Sequence, residues 1–371
     1  MTIPTIRVLV VDDSALMREM ICDGIEQAPN MEVAGQAADG EKALQALECV
    51  KADVVTLDIQ MPNRDGLSTL DAILASRPMP VVMVSSLTRL GADITLDALD
   101  RGAIDYVAKP NSSAEARRVF TEELPRKIRS AARADVQRIL AIRQARKQRR
   151  QEQRRQPPAP KLVSEAGRAE LADKCIALGI STGGPPALRS LFESLRPPMP
   201  PIVVVQHMPP HFTKPLAWRL DSLSQLAVKE AEEGDRLKPN QVLIAPGGLH
   251  LELHRLGNSA RVGLRDGPQV SSHKPSVDVM MKSAAAIFGP RCLGVIMTGM
   301  GRDGSDGCGA IRAAGGYVLG QDEATSDVYG MNKVAFQEGN VDRQFSLGEA
   351  AGTIALQVKR LWNLQAVMAG V

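Results

Sequence analysis

The chain has 371 residues, a formal net charge of +3, and 44% hydrophobic but only 3% aromatic residues. That length suggests two domains with cores of Val, Ile, Leu, Met and Ala, and so small a charge does not by itself imply a nucleic-acid binder. No apolar run approaches a membrane span, the start lacks a secretory pattern, and the five scattered cysteines (Cys22, Cys49, Cys175, Cys292, Cys308) argue for reduced thiols in a cytoplasm.

Strands and helices alternate from the start. Ile6 to Val11 reads as a strand, and Ser14 opens a helix through about Ala28. Val33 to Ala37 follows as a strand, and a helix runs from Gly40 to Cys49. Val54 to Leu57 is a third strand, ending at Asp58. Leu67 to Ala75 is helical. Val81 to Val84 is a fourth strand, ending at Ser85 and Ser86. Ala92 to Arg101 is helical, Ile104 to Val107 is a fifth strand, and Lys109-Pro110 follows. Five β/α units predict a parallel sheet with helices on both faces.

Functional groups in such a sheet collect at the carboxyl ends of its strands. Asp12 and Asp13 end the first strand and Asp58 the third, with Ser85 after the fourth and Lys109 after the fifth. Three converging carboxylates repel one another unless a cation joins them, and a hard divalent ion such as Mg²⁺ suits oxygen ligands. A carboxylate held by that ion can attack a phosphoryl donor. Ser85 can bond the phosphoryl oxygens and Lys109 can pair with their charge.

Residues 5–130 resemble the receiver domains of response regulators. The matching pieces are Val10-Val11-Asp12-Asp13-Ser14, Leu57 to Pro62, Asp65-Gly66, Ser85-Ser86 and Gly102 to Pro110. The resemblance implies that Asp58 is the phosphoacceptor, that Asp12 and Asp13 help hold Mg²⁺, and that Tyr106 is the aromatic that reorients on phosphorylation. Gln60 and Arg64 stand where such receivers often carry other residues.

From about Ala131 to Asp173 the pattern loosens. Arg143, Arg146, Lys147, Arg149, Arg150, Arg154 and Arg155 cluster with Glu152, and Gln156-Pro157-Pro158-Ala159-Pro160 breaks any helix. A basic patch for nucleic acid or an acidic partner is one reading. No aromatics interleave with the arginines, so a solvated, partly helical linker is preferred.

The second half opens on Cys175 to Leu178, a buried strand that runs into Gly179-Ile180-Ser181-Thr182-Gly183-Gly184. Pro185 and Pro186 then start a helix, so Ser181 sits at a strand–turn–helix break. The glycines permit positive φ, and N–H groups at the helix start favour a developing negative charge. Ser181 is a candidate nucleophile; a plain turn or a phosphate cradle fits the hexamer as well. Ile202 to Val205 is a further strand, with His207 just past it. His211 is placed in the first turn of a helix containing Trp218. His250 and His254 alternate with Leu249, Leu251 and Leu253, which predicts a strand with the histidines on its polar face rather than a metal pair. Ser276 can cap a helix that has Asp278 in its first turn. Leu293 to Met297 is another strand, with Asp303 shortly after it, while Asp306 lies further into the next helix. In one parallel sheet these strand ends can bring Ser181, His207 and Asp303 together. His207 then takes the serine proton and Asp303 fixes the imidazole tautomer. The order Ser, His, Asp is not that of α/β-hydrolases, so the Gly-x-Ser-x-Gly match does not imply that fold.

Residues 172–368 resemble the catalytic domain of chemotaxis protein-glutamate methylesterases. The pieces that carry it are Gly179 to Gly184, Gln206-His207-Met208-Pro209, Ile244-Ala245-Pro246-Gly247, Lys274 to Asp278 and Met297 to Gly304. The resemblance puts nucleophile, base and orienting acid on Ser181, His207 and Asp303. It implies a phosphorylation-activated serine hydrolase acting on glutamate methyl esters, and some glutamines, of chemoreceptor helices. Backbone N–H groups around Thr182 and Gly183, and near Met300, are the oxyanion candidates. The expected fold is α/β: a five-unit doubly wound receiver at 1–130, a linker at 131–171, and a hydrolytic domain with a mainly parallel sheet at 172–371. Expected partners are methylated chemoreceptors and a chemotaxis histidine kinase, with no nucleic acid, no membrane insertion and no cofactor for ester hydrolysis. A nucleic-acid-binding output and a catalytically inactive receptor scaffold are the rival readings.

Overall fold

The computed structural model describes residues 4–86, 88–110, 112–153 and 170–362. The chain divides into two compact units, Met1–Ala145 and Arg146–Val371.

The first unit alternates strictly: β1 (Ile6–Val11), α1 (Ala15–Glu26), β2 (Met31–Ala37), α2 (Gly40–Cys49), β3 (Val54–Asp58), α3 (Gly66–Ser76), β4 (Val81–Ser85), α4 (Arg89–Arg101) and β5 (Asp105–Ala108). Polar residues start the helices. Ser14, Asp39, Asp65 and Thr88 each accept a bond from the backbone N–H three residues on. All strand pairs are parallel, in the order β2-β1-β3-β4-β5. The chain therefore reverses its direction of growth between β1 and β3, which opens a crevice beyond their carboxyl ends. Asp12, Asp13 and Asp58 lie there.

After β5 come α5 (Ser113–Arg118), α6 (Leu124–Ala131) and α7 (Val136–Gln153). The first unit runs on to Ala145 and so includes 131–145, a stretch whose pattern reads as linker. The cause is local packing: Val136 and Ile139 are buried, and Arg143 donates to the carbonyl of Leu99. Arg154, Arg155 and the Pro-rich run at 156–160 lie outside the described residues.

The second unit contains β6 (Cys175–Ile180), α8 (Gly184–Ser194), β7 (Ile202–Gln206), α9 (Thr213–Asp221), β8 (Ala227–Glu230), β9 (Gln241–Ile244), a hairpin of β10 (His250–Leu256) and β11 (Ser259–Arg265), then α10 (Val277–Phe288), β12 (Cys292–Ile296), α11 (Ser305–Ala313), β13 (Tyr317–Gln321), α12 (Met331–Gln337), β14 (Arg343–Phe345) and α13 (Ala350–Trp362). Seven strands form one sheet, β14-β13-β12-β6-β7-β9-β8, parallel throughout. The chain leaves β6 toward β7 and later returns to β6's other side as β12. The switch point of this sheet is thus at β6 and β12. On one face, Met280, Met281, Ala284 and Phe288 of α10 pack with Cys308 and Ile311 of α11 against strand residues. Burying these apolar stripes fixes both helices on the sheet, so that α10 and α11 start beside the carboxyl ends of β6 and β12.

Two local expectations are corrected. His211 is not in a helical turn: α9 begins at Thr213, and His211 precedes it, exposed, with φ of 75°. His250 is on β10 as expected but is fully buried. The hairpin packs on α10, so the histidine enters the core, where Nε2 faces the Pro268 carbonyl at 2.9 Å and Nδ1 accepts the Ser276 N–H at 3.2 Å. His254, four residues on, is exposed, so the two do not converge on a metal.

Candidate active site

Three strand ends build the site in the second unit. β6 and β7 pair in register through Ile180 and Gln206, so Ser181 and His207 are the next residues out on neighbouring strands. The His207 N–H bonds the Ile180 carbonyl at 3.1 Å. On the other side of β6, Ile296 of β12 pairs with Gly179. The loop after β12 then passes against Ser181: the Ser181 N–H donates to the Thr298 carbonyl at 3.0 Å, and a methyl group added at Gly299 would come within 2.7 Å of Ser181 Cβ. Glycine at 299 is a packing requirement of the nucleophile candidate.

The loop ends at Asp303, which is fully buried. Its Oδ2 lies 2.8 Å from His207 Nε2 and accepts the Val277 N–H at 2.7 Å. Its Oδ1 accepts the Ser276 hydroxyl at 2.8 Å and the Asp278 N–H at 3.1 Å. Burial pushes this carboxyl up, but the His207 contact and the bonds from Ser276 and Val277 outweigh it and hold Asp303 well below the usual carboxylate range. An ionised Asp303 accepts a hydrogen bond from Nε2–H, which fixes the neutral imidazole in its Nε2–H form. Nδ1 then carries the lone pair. It is buried and has no hydrogen-bond partner among the described residues. The nitrogen left to take a serine proton is therefore Nδ1, the reverse of the chymotrypsin arrangement, in which Nδ1 faces the acid.

Of the oxyanion candidates, Thr182 and Gly183 directly follow Ser181. Thr182 and Gly183 lead into α8, and Gly183 has φ of 76°; a side chain there would also strike Asp327. Thr298 Oγ1 lies 3.0 Å from the Thr182 carbonyl and accepts the Val328 N–H at 3.0 Å. Met300 directly follows Gly299 on the loop that touches Ser181. Asp306 is elsewhere, in the first turn of α11, paired with Arg302 at 3.0 Å.

Sequence reasoning gave no role in the site to several residues here. Gln206 Nε2 donates to the carbonyls of Ser181 and His207, at 3.0 and 3.2 Å, and so ties the two strand ends. Gln321 Oε1 accepts the Thr298 N–H at 2.9 Å. His273 stacks on His207 with ring centroids 3.7 Å apart and planes 8° from parallel. Gln206 was visible only as part of the Gln206–Pro209 piece at the end of an apolar strand, and His273 only as the first residue of the 273–278 segment, which could border a substrate groove. His207, His273 and Asp303 also place ligand atoms within 4.8 Å of one another. They do not fit a metal as they stand, because imidazole lone pairs lie in the ring planes, and parallel planes stacked at this distance do not meet at one ion.

The first unit gathers the other candidates. Carboxylate oxygens of Asp12, Asp13 and Asp58 lie within 4.8 Å of one another. Lys109 Nζ is 2.9 Å from Asp12 Oδ2 and 2.8 Å from Asp58 Oδ2. Burial raises the Asp58 carboxyl, Lys109 opposes the rise, and Asp12 adds to it. This is a hard oxygen donor set with surplus negative charge, and it fits Mg²⁺. The Ser85 hydroxyl is buried, accepting from Thr95 Oγ1 at 2.7 Å. Tyr106 is buried on β5, with Lys127 over its ring.

Comparisons with known proteins agree with this division. The CheB methylesterase family matches residues 176–354, and the response regulator receiver domain family matches residues 8–120. The chain is 43% identical over 350 residues to the protein-glutamate methylesterase/protein-glutamine glutaminase of Syntrophotalea carbinolica, covering 94% of this chain and 96% of that one. It is 43% identical over 354 residues to the protein of the same description from Pectobacterium atrosepticum, covering 95% and 97%. Among solved structures, the Thermotoga maritima CheB methylesterase catalytic domain is 40% identical, covers 52% of this chain and 98% of that one, and superposes with a TM-score of 0.48. With relatives matched along more than nine-tenths of both chains, this protein belongs to the CheB methylesterase family of receiver-linked response regulators.

Proposed function

We propose that Ser181, His207 and Asp303 are nucleophile, base and orienting acid of a protein-glutamate methylesterase and protein-glutamine glutaminase controlled by phosphorylation at Asp58. What supports this reading is the Asp303–His207 Nε2 contact, which leaves Nδ1 to take a proton, together with the β6–β7 register that puts Ser181 and His207 next out on neighbouring strands. Ser181 Oγ attacks the ester carbonyl while His207 Nδ1 takes its proton. The imidazolium so formed rests against the Asp303 charge. The tetrahedral oxyanion is met by backbone N–H groups at Thr182, Gly183 and Met300. His207 returns its proton to the leaving oxygen, methanol departs, and water hydrolyses the acyl-enzyme by the same route. A glutamine side chain forms the same intermediate and releases ammonia.

In the receiver, Asp58 is the phosphoacceptor. Asp12, Asp13 and Asp58 would hold Mg²⁺, which when bound neutralises the phosphoryl charge. Lys109 pairs with the incoming phosphoryl oxygens, Ser85 turns its hydroxyl from Gly91 and Thr95 toward them, and Tyr106 reorients. The substrates are methylated chemoreceptors, the phosphodonor is a chemotaxis histidine kinase, and the protein works in the cytoplasm. Domain limits of 1–130 and 172–371, joined by a 131–171 connector whose first part packs with the first unit, follow this division of labour. The unphosphorylated receiver blocks access to Ser181, and phosphorylation lifts the block. A nucleic-acid output and an inactive scaffold are less favoured, since relatives matched nearly end to end carry the hydrolase description.

The test is methanol release from methyl-labelled receptor membranes, with and without a small phosphodonor and Mg²⁺. Ser181→Ala is expected to lower release by several orders of magnitude. Asp58→Ala is expected to keep basal release and lose the response to the donor. Unchanged release from Ser181→Ala removes the serine from the mechanism.

A further inference from the structure

Behind the triad acid lies a second buried carboxyl that the mechanism above does not use. Asp278 is 1% exposed and sits in the first turn of α10. Its Oδ1 accepts the N–H groups of Gly304, at 2.9 Å, and Gly307, at 2.7 Å, at the start of α11. Asp303, just before α11, accepts in return the N–H groups of Val277 and Asp278 at the start of α10. Each helix is thus capped by the other helix's aspartate. A carboxylate at a helix start is ordinarily held by its own helix. Here the exchange locks two helix ends together, and the locked loop is the one that presents Asp303 to His207.

We propose that Asp278 is a positioning residue for the triad: it holds Asp303 on His207 through this exchange of caps, and its charge supports the imidazolium from behind. The proposal rests on the triad reading given above. Asp278 stands next to one acid and near few other charges. Lys282 is one turn along α10, and it also faces Asp306 of α11 at 3.7 Å. Cys308 comes from α11, Asp303 from the loop before it, and His207 lies beyond Asp303. His250 lies on the far side of Ser276. Burial and the Asp303 charge push the Asp278 carboxyl up to about 6. It is therefore neutral in acid and gains its charge as pH rises toward neutrality. Once ionised, it adds a second negative charge behind Asp303, which favours positive charge on the imidazole during the reaction.

The experiment uses the full chain and labelling of Ser181 by a serine-directed fluorophosphonate, followed as a rate across pH, with thermal unfolding as the control for folding. Asp278→Asn keeps an acceptor for Gly304 and Gly307 but removes the charge. It is expected to label about tenfold more slowly at neutral pH, with the acid limb of the profile moved to lower pH by roughly half a unit. Asp278→Ala loses the acceptor as well and is expected to be slower still. Asp278→Glu keeps the charge and should return the acid limb to its wild-type position. In the unmutated chain, the carbon-13 shift of the His207 ring, assigned by its loss in His207→Gln, should titrate in two steps, one from the ring and one from the carboxyl. A folded Asp278→Asn variant with the wild-type acid limb overturns the proposal, and so does a single-step titration of His207. Failure of the wild type to label at Ser181 would instead overturn the triad reading.

Discussion

Asp303 shows how one side chain acquires its state from its neighbours. Four donors surround it, two of them backbone N–H groups at a helix start. A buried carboxylate without such partners would take up a proton, since burial disfavours the charged form. With them it stays ionised and selects the Nε2–H tautomer of His207. Lys109 plays a related part in the receiver, where its ammonium offsets the burial that raises Asp58. Replacing it with an apolar residue removes that offset. In Lys109→Met the Asp58 carboxyl is expected to rise further, so its ionised fraction at a given pH falls. Incorporation of phosphate from a small phosphodonor should then be slower and should need higher pH, which a pH series of labelled Asp58 would measure.

At the scale of elements, the site depends on close approach between the β6 and β12 termini. Gly299 allows it: an added methyl group would lie 2.4 Å from Met331 Sδ and 2.7 Å from Ser181 Cβ. Gly299→Ala is expected to cost about 1–3 kcal/mol of stability, the usual range for overpacking. Thermal unfolding would read the cost. The displaced Ser181 should also label more slowly with a fluorophosphonate, by at least about tenfold. Gly66 makes a similar demand in the receiver, because a side chain there would strike the Asp58 carbonyl at 2.2 Å. In both units, a small residue lets a loop fold back over a candidate site residue.

For the whole molecule, the proposed scheme has a phosphoryl group on the first unit govern a serine on the second. In the proposed scheme, phosphorylation turns the singly charged Asp58 carboxylate into an acyl phosphate, a net gain of about one negative charge, and presents new acceptor oxygens to Lys109 and Ser85. The control model makes a simple prediction: a chain lacking residues 1–130 should release methanol faster than the intact unphosphorylated protein, and should ignore the phosphodonor. Equal basal rates would remove the blocking role of the receiver while leaving the triad untouched.

Much of this protein was legible in its residue pattern. Apolar strand runs bounded by polar ends marked β1, β3, β4, β6, β7 and β12 to within a residue or two, because a strand buried on both faces must be continuously apolar. The same logic put Asp12, Asp58, Ser181 and His207 at strand ends, and the known crevices of parallel sheets turned those ends into site candidates. What pattern reading could not supply was anything that depends on which distant segments meet. His250 reads as a polar-face residue because periodicity reports only its own strand; the packing of the hairpin on α10 is what buries it. The stretch at 131–145 reads as linker because Val136 and Ile139 are spaced among charges, and only the receiver surface beneath them shows what they bury. His273 on His207, Gln206 between two strand ends, and the exchanged caps of Asp278 and Asp303 join residues from separate elements. The sequence by itself determined the order of strands and helices and the residues at their ends, since local spacing carries that information. Tertiary structure alone decided which nitrogen of His207 meets Asp303 and which carboxyl stands behind it, since both follow from how two helices and a loop pack at one switch point.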